Sequence, residues 1–522
     1  MTSPDISLGR WFAARAARSA HRRALTFEGR TRTYGELLSR IDRLAAALRT
    51  RGVSHGDRVA FLGANQPAFL ETLLATARLG AVFVPLNFRL AGPELAFIIR
   101  DSGANTLVTD SAHQPTIDKI RHELTTHCYL IVGPAEAGWE NYEDLIATHS
   151  ALPAPDSVLA DETAIIMYTS GTTGRPKGVI LSHANLWWSN INLLSQFDVH
   201  ENDVTLVAAP LFHIAGLNVT TFTTWFKGGE VVLQRSFDAA DCLAAIERHH
   251  VTTMFGVPAI FLFMSQAPAF PHADLSSLRM AICGGAPVPE PLLRLYAERN
   301  VPILQGYGLT ETAPSATFLV AEYALSKLGS AGTSPIFTDV KIVDADGRAI
   351  EEPHRQGEIC VRGPNVTKGY WNRPEDTTRA IDPHGWFHTG DVGYRDDDGF
   401  MFIVDRIKDM IISGGENIYP AEVENILCGH PAIAEVAVIG VPDDRWGEAV
   451  TAVVTFRLGH EPLTLEELRD FAGASLARYK LPTKLQVVDA LPRNSTGKVV
   501  KYLLRQQLQP QRTASETEPT SP

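Results

Sequence analysis

Through the first four hundred residues, short apolar runs alternate with stretches in which apolar side chains recur every three or four positions. "RVAFLGAN", "AVFVPLNF", "TLVTD" and "CYLIVG" read as strands, and "QPAFLETLLATARLG", between the first two, reads as a helix. A second round brings "VTLVAAP", "EVVLQ", "VTTMFGVP", "LRMAICGG" and "VPILQGYG". This alternation predicts an α/β fold, with a large N-terminal domain of mixed and parallel sheets covered by helices. Past residue 330 the runs shorten. "VKIVDADGRAI" and "VGYRDDDGFMFIVDR" carry Asp346-Gly347 and Asp398-Gly399, hairpin-turn pairs that predict a small β-barrel-like region. "AEVENIL" (helix), "AEVAVIGV" and "EAVTAVVTF" (strands) and "LEELRDFAGASLA" (helix) then fill a small α+β C-terminal domain. The division is 1–404, a short hinge at 405–408, a domain at 409–510 and a polar, Pro-containing disordered tail at 511–522.

At 522 residues the chain exceeds one compact core. Its formal charge of -12 argues against a non-specific nucleic-acid binder, while a local positive pocket for small anions stays open. The five cysteines, Cys128, Cys242, Cys283, Cys360 and Cys428, include no C-x-x-C pair. They read as reduced thiols of a cytoplasmic protein, with neither a disulfide framework nor a zinc site. No apolar run approaches the ~18 residues of a membrane span, so no integral segment is expected, and peripheral membrane contact stays open. Oligomeric state is not legible. "LGRWFAARAARSAHRRAL" fits a surface helix of the first domain, through Trp11, Phe12 and Ala16, and also an Arg-rich transit peptide.

The densest chemistry is "MYTSGTTGRPKGVILSH", residues 167 to 183. Small hydroxyls, glycines and two cations between apolar runs suit polyphosphate. A Walker loop needs G-x-x-x-x-G-K-[ST] running straight into a helix. Here Pro176 lies five residues after Gly171, Gly178 follows the lysine, and Val179, Ile180 and Leu181 continue as strand. This is a phosphate-holding loop of another kind. Further polar stretches are "CGGAP" (283 to 287) and "QGYGLTET" (305 to 312), both after strands, where parallel α/β sheets bind ligands. "HTGD" (388 to 391) and "DRIKDMIISGGEN" (405 to 417) bracket the domain boundary, and "PRNSTGKVVK" (492 to 501) ends the small domain.

Taken in order, these stretches closely resemble the adenylate-forming superfamily of acyl-CoA synthetases, aryl-CoA ligases, firefly luciferase and peptide-synthetase adenylation domains, from about residue 7 to 507. The resemblance implies an enzyme that uses ATP, Mg²⁺, a small carboxylic acid and coenzyme A. It makes Thr169, Ser170, Gly171, Thr172, Thr173, Gly174 and Lys177 the loop over the β- and γ-phosphates. Small residues let backbone N–H groups approach phosphate oxygens, and the hydroxyls and Lys177 add donors and charge. It places adenine between Gly284, Gly285, Ala286 and Pro287 and the ring of Tyr307, flanked by Gly306 and Gly308. Glu311 becomes the magnesium-associated carboxylate, Asp391 with Arg406 the ribose contact, and Thr310 an α-phosphate contact.

Two anions, a carboxylate and the α-phosphate, must meet. Lys498, His213 and Mg²⁺ are the remedies for their repulsion. By resemblance the small domain is mobile and swings about the hinge residue Lys408. That motion exchanges Lys498 for "SGGEN", whose Gly414 and Gly415 leave room for the pantetheine arm. Trp446 is a candidate coenzyme A contact or a core residue.

For the acid pocket, Ala215, Leu217, Cys283 and Leu309 are the candidates. Where plant-type aryl-CoA ligases carry Tyr two residues after the His of "PxFH", this chain has Ala215. Small apolar residues leave room for an alkyl chain, which gains about 0.8 kcal/mol per buried CH₂. The expectation is a medium- or long-chain fatty-acid–CoA ligase, with an aryl-acid ligase as the alternative. A fatty acyl-AMP ligase serving a carrier protein is a further alternative, though the insertion such enzymes carry is not evident between 330 and 405. A catalytically dead binding homologue is disfavoured by intact Lys177, Glu311, Asp391, Arg406 and Lys498.

Overall fold

A computed structural model describes the chain except residues 1–4, 135, 153–154, 170–175, 287, 407–408, 414–415, 444, 494–497 and 509–522; at 406 and 417 it describes the backbone alone. The expected disordered tail therefore lies outside the described residues. There are two compact units, Met1–Thr389 with Gly393–Ile403, and Gly390–Val392 with Val404–Pro522.

Two large sheets build the first unit. One has the strand order Glu140–Asn141, Cys128–Val132, Thr106–Asp110, Arg58–Leu62, Val82–Leu86, Thr163–Thr169 and Lys177–Ser182. All its neighbours are parallel except the last pair. The other runs Thr317–Phe318, Ile303–Tyr307, Met280–Gly284, Thr253–Gly256, Val204–Val207, Glu230–Leu233, Arg23–Phe27 and Arg30–Thr33. It is parallel inside with an antiparallel pair at each end. Parallel strands need long crossovers, which the helical stretches supply, and they are buried on both faces. Val82–Leu86 and Met280–Gly284 are accordingly buried at every position.

The helix Pro67–Arg78 starts with proline, whose missing N–H costs nothing there, and buries every residue from Ala68 to Arg78. It shares one apolar cluster with residues of the helices Leu8–Arg18 and Tyr34–Thr50 and with Phe61, Phe83, Leu25 and Val231 of the two sheets. Leu8, Trp11, Phe12 and Ala16 turn into that cluster. The Arg-rich N-terminal segment is thus a helix of the folded unit.

A four-stranded sheet follows in the order Asp339–Val343, Gly357–Arg362, Phe387–Arg395 and Met401–Arg406. Asp398-Gly399 turns between its last two strands, the Gly399 N–H donating to the Asp396 carbonyl at 3.0 Å. Asp346-Gly347 does less than the pattern predicts. Its turn closes on the single bridge Val343–Ala349, and Asp339–Val343 pairs instead with Gly357–Arg362. Residues 351–356 are all exposed and form no strand, and pairing resumes from Glu358 into the apolar Ile359, Cys360 and Val361.

The second unit is built on Ile433–Asp443 and Gly447–Phe456, antiparallel over their length. Ile411–Ser413 with Glu416–Ile418, and Lys484–Val487, extend the sheet. Its period of two is plain. Val436, Val438, Val450, Ala452 and Val454 cluster with Val423, Leu427 and Leu468 of the helices Pro420–Leu427 and Leu465–Gly473. Ala437, Ile439, Val441 and Val453 cluster with Leu504 of the helix Lys501–Leu508. Alternate residues feed opposite faces, so both faces are buried.

The first unit also buries charge. Glu71 on Pro67–Arg78 is 0% exposed and accepts from Arg40 Nε and Nη2 at 2.7 and 3.0 Å. The Tyr142 hydroxyl donates to its Oε2 at 3.1 Å, while Arg40 also holds the half-exposed Glu143. Removing one partner of a buried pair strands the other, costing about 3–5 kcal/mol, whereas an exposed partner contributes about 0–1 kcal/mol. Glu71→Ala is therefore expected to lower the thermal midpoint of the first unit by several degrees and Glu143→Ala hardly at all, as measured by calorimetry. Equal effects would count against a buried-charge penalty.

Candidate active site

The strand Thr163–Thr169 and its antiparallel neighbour Lys177–Ser182 bring the two ends of the hydroxyl- and glycine-rich loop together. Thr169 pairs with Lys177, and its Oγ1 donates to the Lys177 carbonyl at 3.5 Å. Ser170, Gly171, Thr172, Thr173 and Gly174 lie outside the described residues.

A distant segment lies along the second of these strands. The Trp371 N–H donates to the Gly178 carbonyl at 2.7 Å, and the Ile180 N–H to the Gly369 carbonyl at 3.0 Å. This pairing delivers Tyr370, whose hydroxyl donates to Glu311 Oε1 at 2.9 Å. Burial and the Glu311 carboxylate push the Tyr370 phenol well above its ordinary range, so it stays a donor. On its other side the Lys177 ammonium lies 5.4 Å from the Tyr370 ring centre and pairs with Asp376 at 2.8 Å. The Lys177 contacts hold the Asp376 carboxyl below its usual range. The result is a chain of carboxylate, phenol, ammonium and carboxylate drawn from three remote stretches. Neither Tyr370 nor Asp376 is singled out by the sequence, because no periodicity or motif links "KGYWNRPED" to a loop almost two hundred residues upstream.

Glu311 sits in the short turn Thr310–Thr312, and its backbone carbonyl accepts from the Thr367 N–H at 2.7 Å. A buried polar network holds this turn. Asn365 Nδ2 donates to the Thr312 and Ser315 carbonyls at 2.8 and 2.7 Å, and its Oδ1 accepts from Thr338 Oγ1 at 2.7 Å. Asn192 donates to the same Thr338 hydroxyl, Asn218 to Ser189 and the Ala313 carbonyl, and Ser189 bonds with Ser315. Before the turn, a Cβ on Gly308 would fall 1.5 Å from the Pro314 carbonyl oxygen, so only glycine lets the chain double back. Leu309 is half-buried against the apolar side of the small sheet.

Gly284 and Gly306 pair across the carboxyl ends of neighbouring parallel strands, and a Cβ on Gly284 would lie 2.8 Å from the Gly306 carbonyl oxygen. Gly285, Ala286 and the half-buried Tyr307 follow directly, while Pro287 lies outside the described residues. Brought together here are glycine-lined strand ends and a phenol ring. Cys283 is not part of that surface. It is wholly enclosed in the apolar cluster containing Phe261 and Tyr296, and burial raises its thiol far above the usual range. Leu217 is likewise sealed in a core cluster, whereas Ala215 stays half-buried against the cluster that contains Phe261 and Cys283. Cys283 belongs to a strand buried at every position, and exposure begins only at Gly285, which composition does not show.

His213 precedes the helix Ile214–Leu217 and the π-helical turn Asn218–Phe222, a form that recurs at functional sites. Its ring lies 4.3 Å from that of Phe212, which meets Phe88 edge-on at 5.3 Å. Desolvation, and then the Arg89 guanidinium nearby, push the imidazole down to about 3. This bears against His213 itself carrying positive charge in the ligand-free chain. It is neutral near pH 7, and Arg89 beside it is a cation that no sequence motif marks.

Asp391, on Phe387–Arg395, is buried. The Arg406 backbone ends the strand Met401–Arg406. Lys498 is half-buried beside the bridge Arg493–Val499. Trp446 is 42% exposed with Arg445 4.7 Å over its ring, which removes the core alternative. Lys408, Gly414 and Gly415 lie outside the described residues, although Ser413 and Glu416 pair on either side of the two glycines.

The depressed His213 value has a pH consequence. Its unfolded counterpart takes a proton below about 6.5, so unfolding binds more protons than the folded state. The stabilisation is complete above pH 6.5 and is lost as the pH falls toward 3. The thermal midpoint difference between the native chain and His213→Asn is expected to shrink between pH 7 and 5. A difference that grows on acidification would mean the folded imidazole is charged.

The family model for AMP-binding enzymes matches residues 12–371, and that for the AMP-binding enzyme C-terminal domain matches 422–498. A feruloyl-CoA synthase of Amycolatopsis is 45% identical over 498 residues, covering 95% of this chain and 98% of that protein. The long-chain-fatty-acid–CoA ligase FadD13 of Mycobacterium tuberculosis is 40% identical, covering 91% and 93%. The structure of o-succinylbenzoate coenzyme A synthetase from Bacillus subtilis with ATP and magnesium ion aligns with a TM-score of 0.84 at 37% identity, covering 95% and 98%. With both family models matched in order and relatives similar from end to end, the chain belongs to the AMP-binding enzyme family, among its acyl- and aryl-CoA ligases.

Proposed function

We propose that the chain joins an apolar monocarboxylic acid to coenzyme A in two half-reactions. First, a carboxylate oxygen attacks the α-phosphorus of ATP, the bond to pyrophosphate breaks, and an acyl-adenylate remains. Then the coenzyme A sulfur attacks the acyl carbonyl, AMP leaves, and the thiol proton passes to solvent. The observation that carries this reading is the linked set Glu311, Tyr370 and Lys177 at the base of the hydroxyl-rich loop.

A carboxylate is a hard oxygen donor, suited to Mg²⁺ held jointly with phosphate oxygens. Tyr370 fixes one oxygen of Glu311 and so aims the carboxylate. Bound there, Mg²⁺ would supply charge neutralisation for the phosphates. Lys177 exchanges Asp376 for the β- and γ-phosphates, and Thr310, next to Glu311, reaches the α-phosphate. Gly284, Gly285, Ala286 and Tyr307 take adenine, and Asp391 with Arg406 takes the ribose. Lys498 bridges carboxylate and phosphate in the first half-reaction, and Lys408 is the hinge between the two. In the second, Gly414, Gly415 and Trp446 serve coenzyme A. A neutral His213 orients the carbonyl or the incoming thiol as a hydrogen-bonding group, and Arg89 contributes charge beside it.

For the acid we favour a ring-bearing aryl or arylalkenoic acid. The support is that two of the three relatives described above are named for ring-bearing acids, including the one at 45% identity. The aliphatic reading is the second. It rests on the small side chain of Ala215 beside an apolar cluster and on the similarity to the fatty-acid ligase.

A panel of aryl, arylalkenoic and medium- and long-chain acids, scored separately for pyrophosphate release and thioester formation, tests both readings. Ring-bearing acids are expected to exceed alkyl acids in kcat/KM by at least about tenfold, a discrimination that the shape of an apolar pocket provides. The reverse order selects the aliphatic reading, and pyrophosphate release without thioester selects a carrier-protein acceptor. Lys498→Ala is expected to lose pyrophosphate release by more than about a hundredfold while still converting supplied acyl-AMP to thioester, as removal of one charge-stabilising group does. Equal loss of both halves would refute its assignment to the first.

A further inference from the structure

Outside the site described above, one cluster joins three different metal-ligating side chains, contrary to the expectation that the cysteine spacing excludes such a site. Glu358 and Cys360 are two residues apart on Gly357–Arg362, and so share a face of the small sheet. His388 lies on the next strand, Phe387–Arg395. Its Nδ1 is 2.8 Å from Glu358 Oε2 and 3.5 Å from Cys360 Sγ, and a ligand atom from each residue lies within 4.8 Å of the other two. The three donors come from strands, which fix their spacing more tightly than loops do.

The arrangement contains a conflict of protons. In a neutral imidazole Nδ1 either donates or accepts. As a donor it suits the carboxylate but offers nothing to the thiol hydrogen. As an acceptor it suits the thiol but sets a lone pair against a carboxylate oxygen. A cation between the three resolves this, since all then present lone pairs inward. Zinc-class ligand lengths of ~2.0–2.3 Å put tetrahedral N and S donors roughly 3.5 Å apart, close to the Nδ1–Sγ separation, and require the N–O pair to widen by roughly half an ångström. The Cys360 sulfur is buried, while the Glu358 and His388 side chains are 23% and 30% exposed, leaving an approach from solvent. Lys341 is paired in register with Cys360, but its ammonium lies 4.4 Å from the Trp386 ring centre.

We propose that Glu358, Cys360 and His388 form a three-ligand site for a borderline-soft divalent cation of the zinc class, with a water as fourth ligand. Binding exchanges the Cys360 thiol proton, released to solvent, for the metal, and leaves the imidazole neutral with its proton on Nε2. Hard, oxygen-preferring cations such as magnesium are poorly matched to a set containing sulfur and imidazole nitrogen. The site is separate from Glu311 and its Mg²⁺, and does not depend on the identity of the acid.

Cobalt(II) titration of the tag-free, metal-stripped full chain under a non-thiol reductant tests it. One equivalent is expected to give a near-ultraviolet thiolate-to-cobalt charge-transfer band and the visible bands of a four-coordinate ion, with zinc displacing both. Cys360→Ser should lose the charge-transfer band. His388→Gln should weaken cobalt binding at least about tenfold, since even partners outside the ligand set cost 10–100-fold. Should the serine variant fail to fold, His388→Gln, altered at a partly exposed side chain, carries the same comparison. Absence of the band at stoichiometric cobalt overturns the proposal. So does a band that persists in folded Cys360→Ser, or unchanged affinity in His388→Gln.

Discussion

The turn that carries Glu311 at the candidate site is held by a buried polar network. Asn192, Ser189 and Asn218 lie in one stretch of the chain, Ser315 and the Thr312 and Ala313 carbonyls in a second, and Thr338 with Asn365 in a third. A buried donor or acceptor left without its partner costs about 1–3 kcal/mol, so each member constrains the others. Glu311 is thereby fixed by its backbone, and Tyr370 then fixes its carboxylate. The close approach of Gly308 to the Pro314 carbonyl lies within the turn that this network holds.

The same economy of charge recurs through the first unit. Several cations of this acidic protein are held in place by pairing with carboxylates. Lys177 is held by Asp376, Arg40 by Glu71 and Glu143, and Arg78 by Asp42. The Lys177 pair differs from the others in consequence. Its ammonium stands where the hydroxyl-rich loop ends, so the structural partner is one that an anionic ligand can replace. His213 follows the opposite course, kept neutral by burial beside Arg89.

In the second unit the sheet is covered on both faces by its own helices, which gives it a core independent of the first unit's clusters. Its charged residues tie its end to its beginning: Lys501 pairs with Glu424 at 2.9 Å and Arg505 with Asp409 at 3.0 Å. These contacts set the helix that follows Lys498 against the segment that follows the expected hinge.

Much of this was legible in the chain. Apolar runs broken by helical periods determine parallel sheets, because covered strands must be apolar throughout. Alternation in Ile433–Asp443 likewise determines a strand with two buried faces. The loop ending at Lys177 suits phosphate by its residue types, and the glycines at 284–285 and 306–308 stand after strands, where such sheets bind ligands, whereas the role expected of Glu311 rests on the family resemblance. Tertiary structure alone decided what crosses long stretches of sequence. It brought Tyr370 to Glu311 and Asp376 to Lys177, set Arg89 beside His213, turned Cys283 into the core, and gathered Glu358, Cys360 and His388. The physical reason is range. Strand and helix periods express interactions between near neighbours, whereas protonation states, ion pairs and ligand clusters depend on which distant side chains share a few ångströms of low-dielectric space.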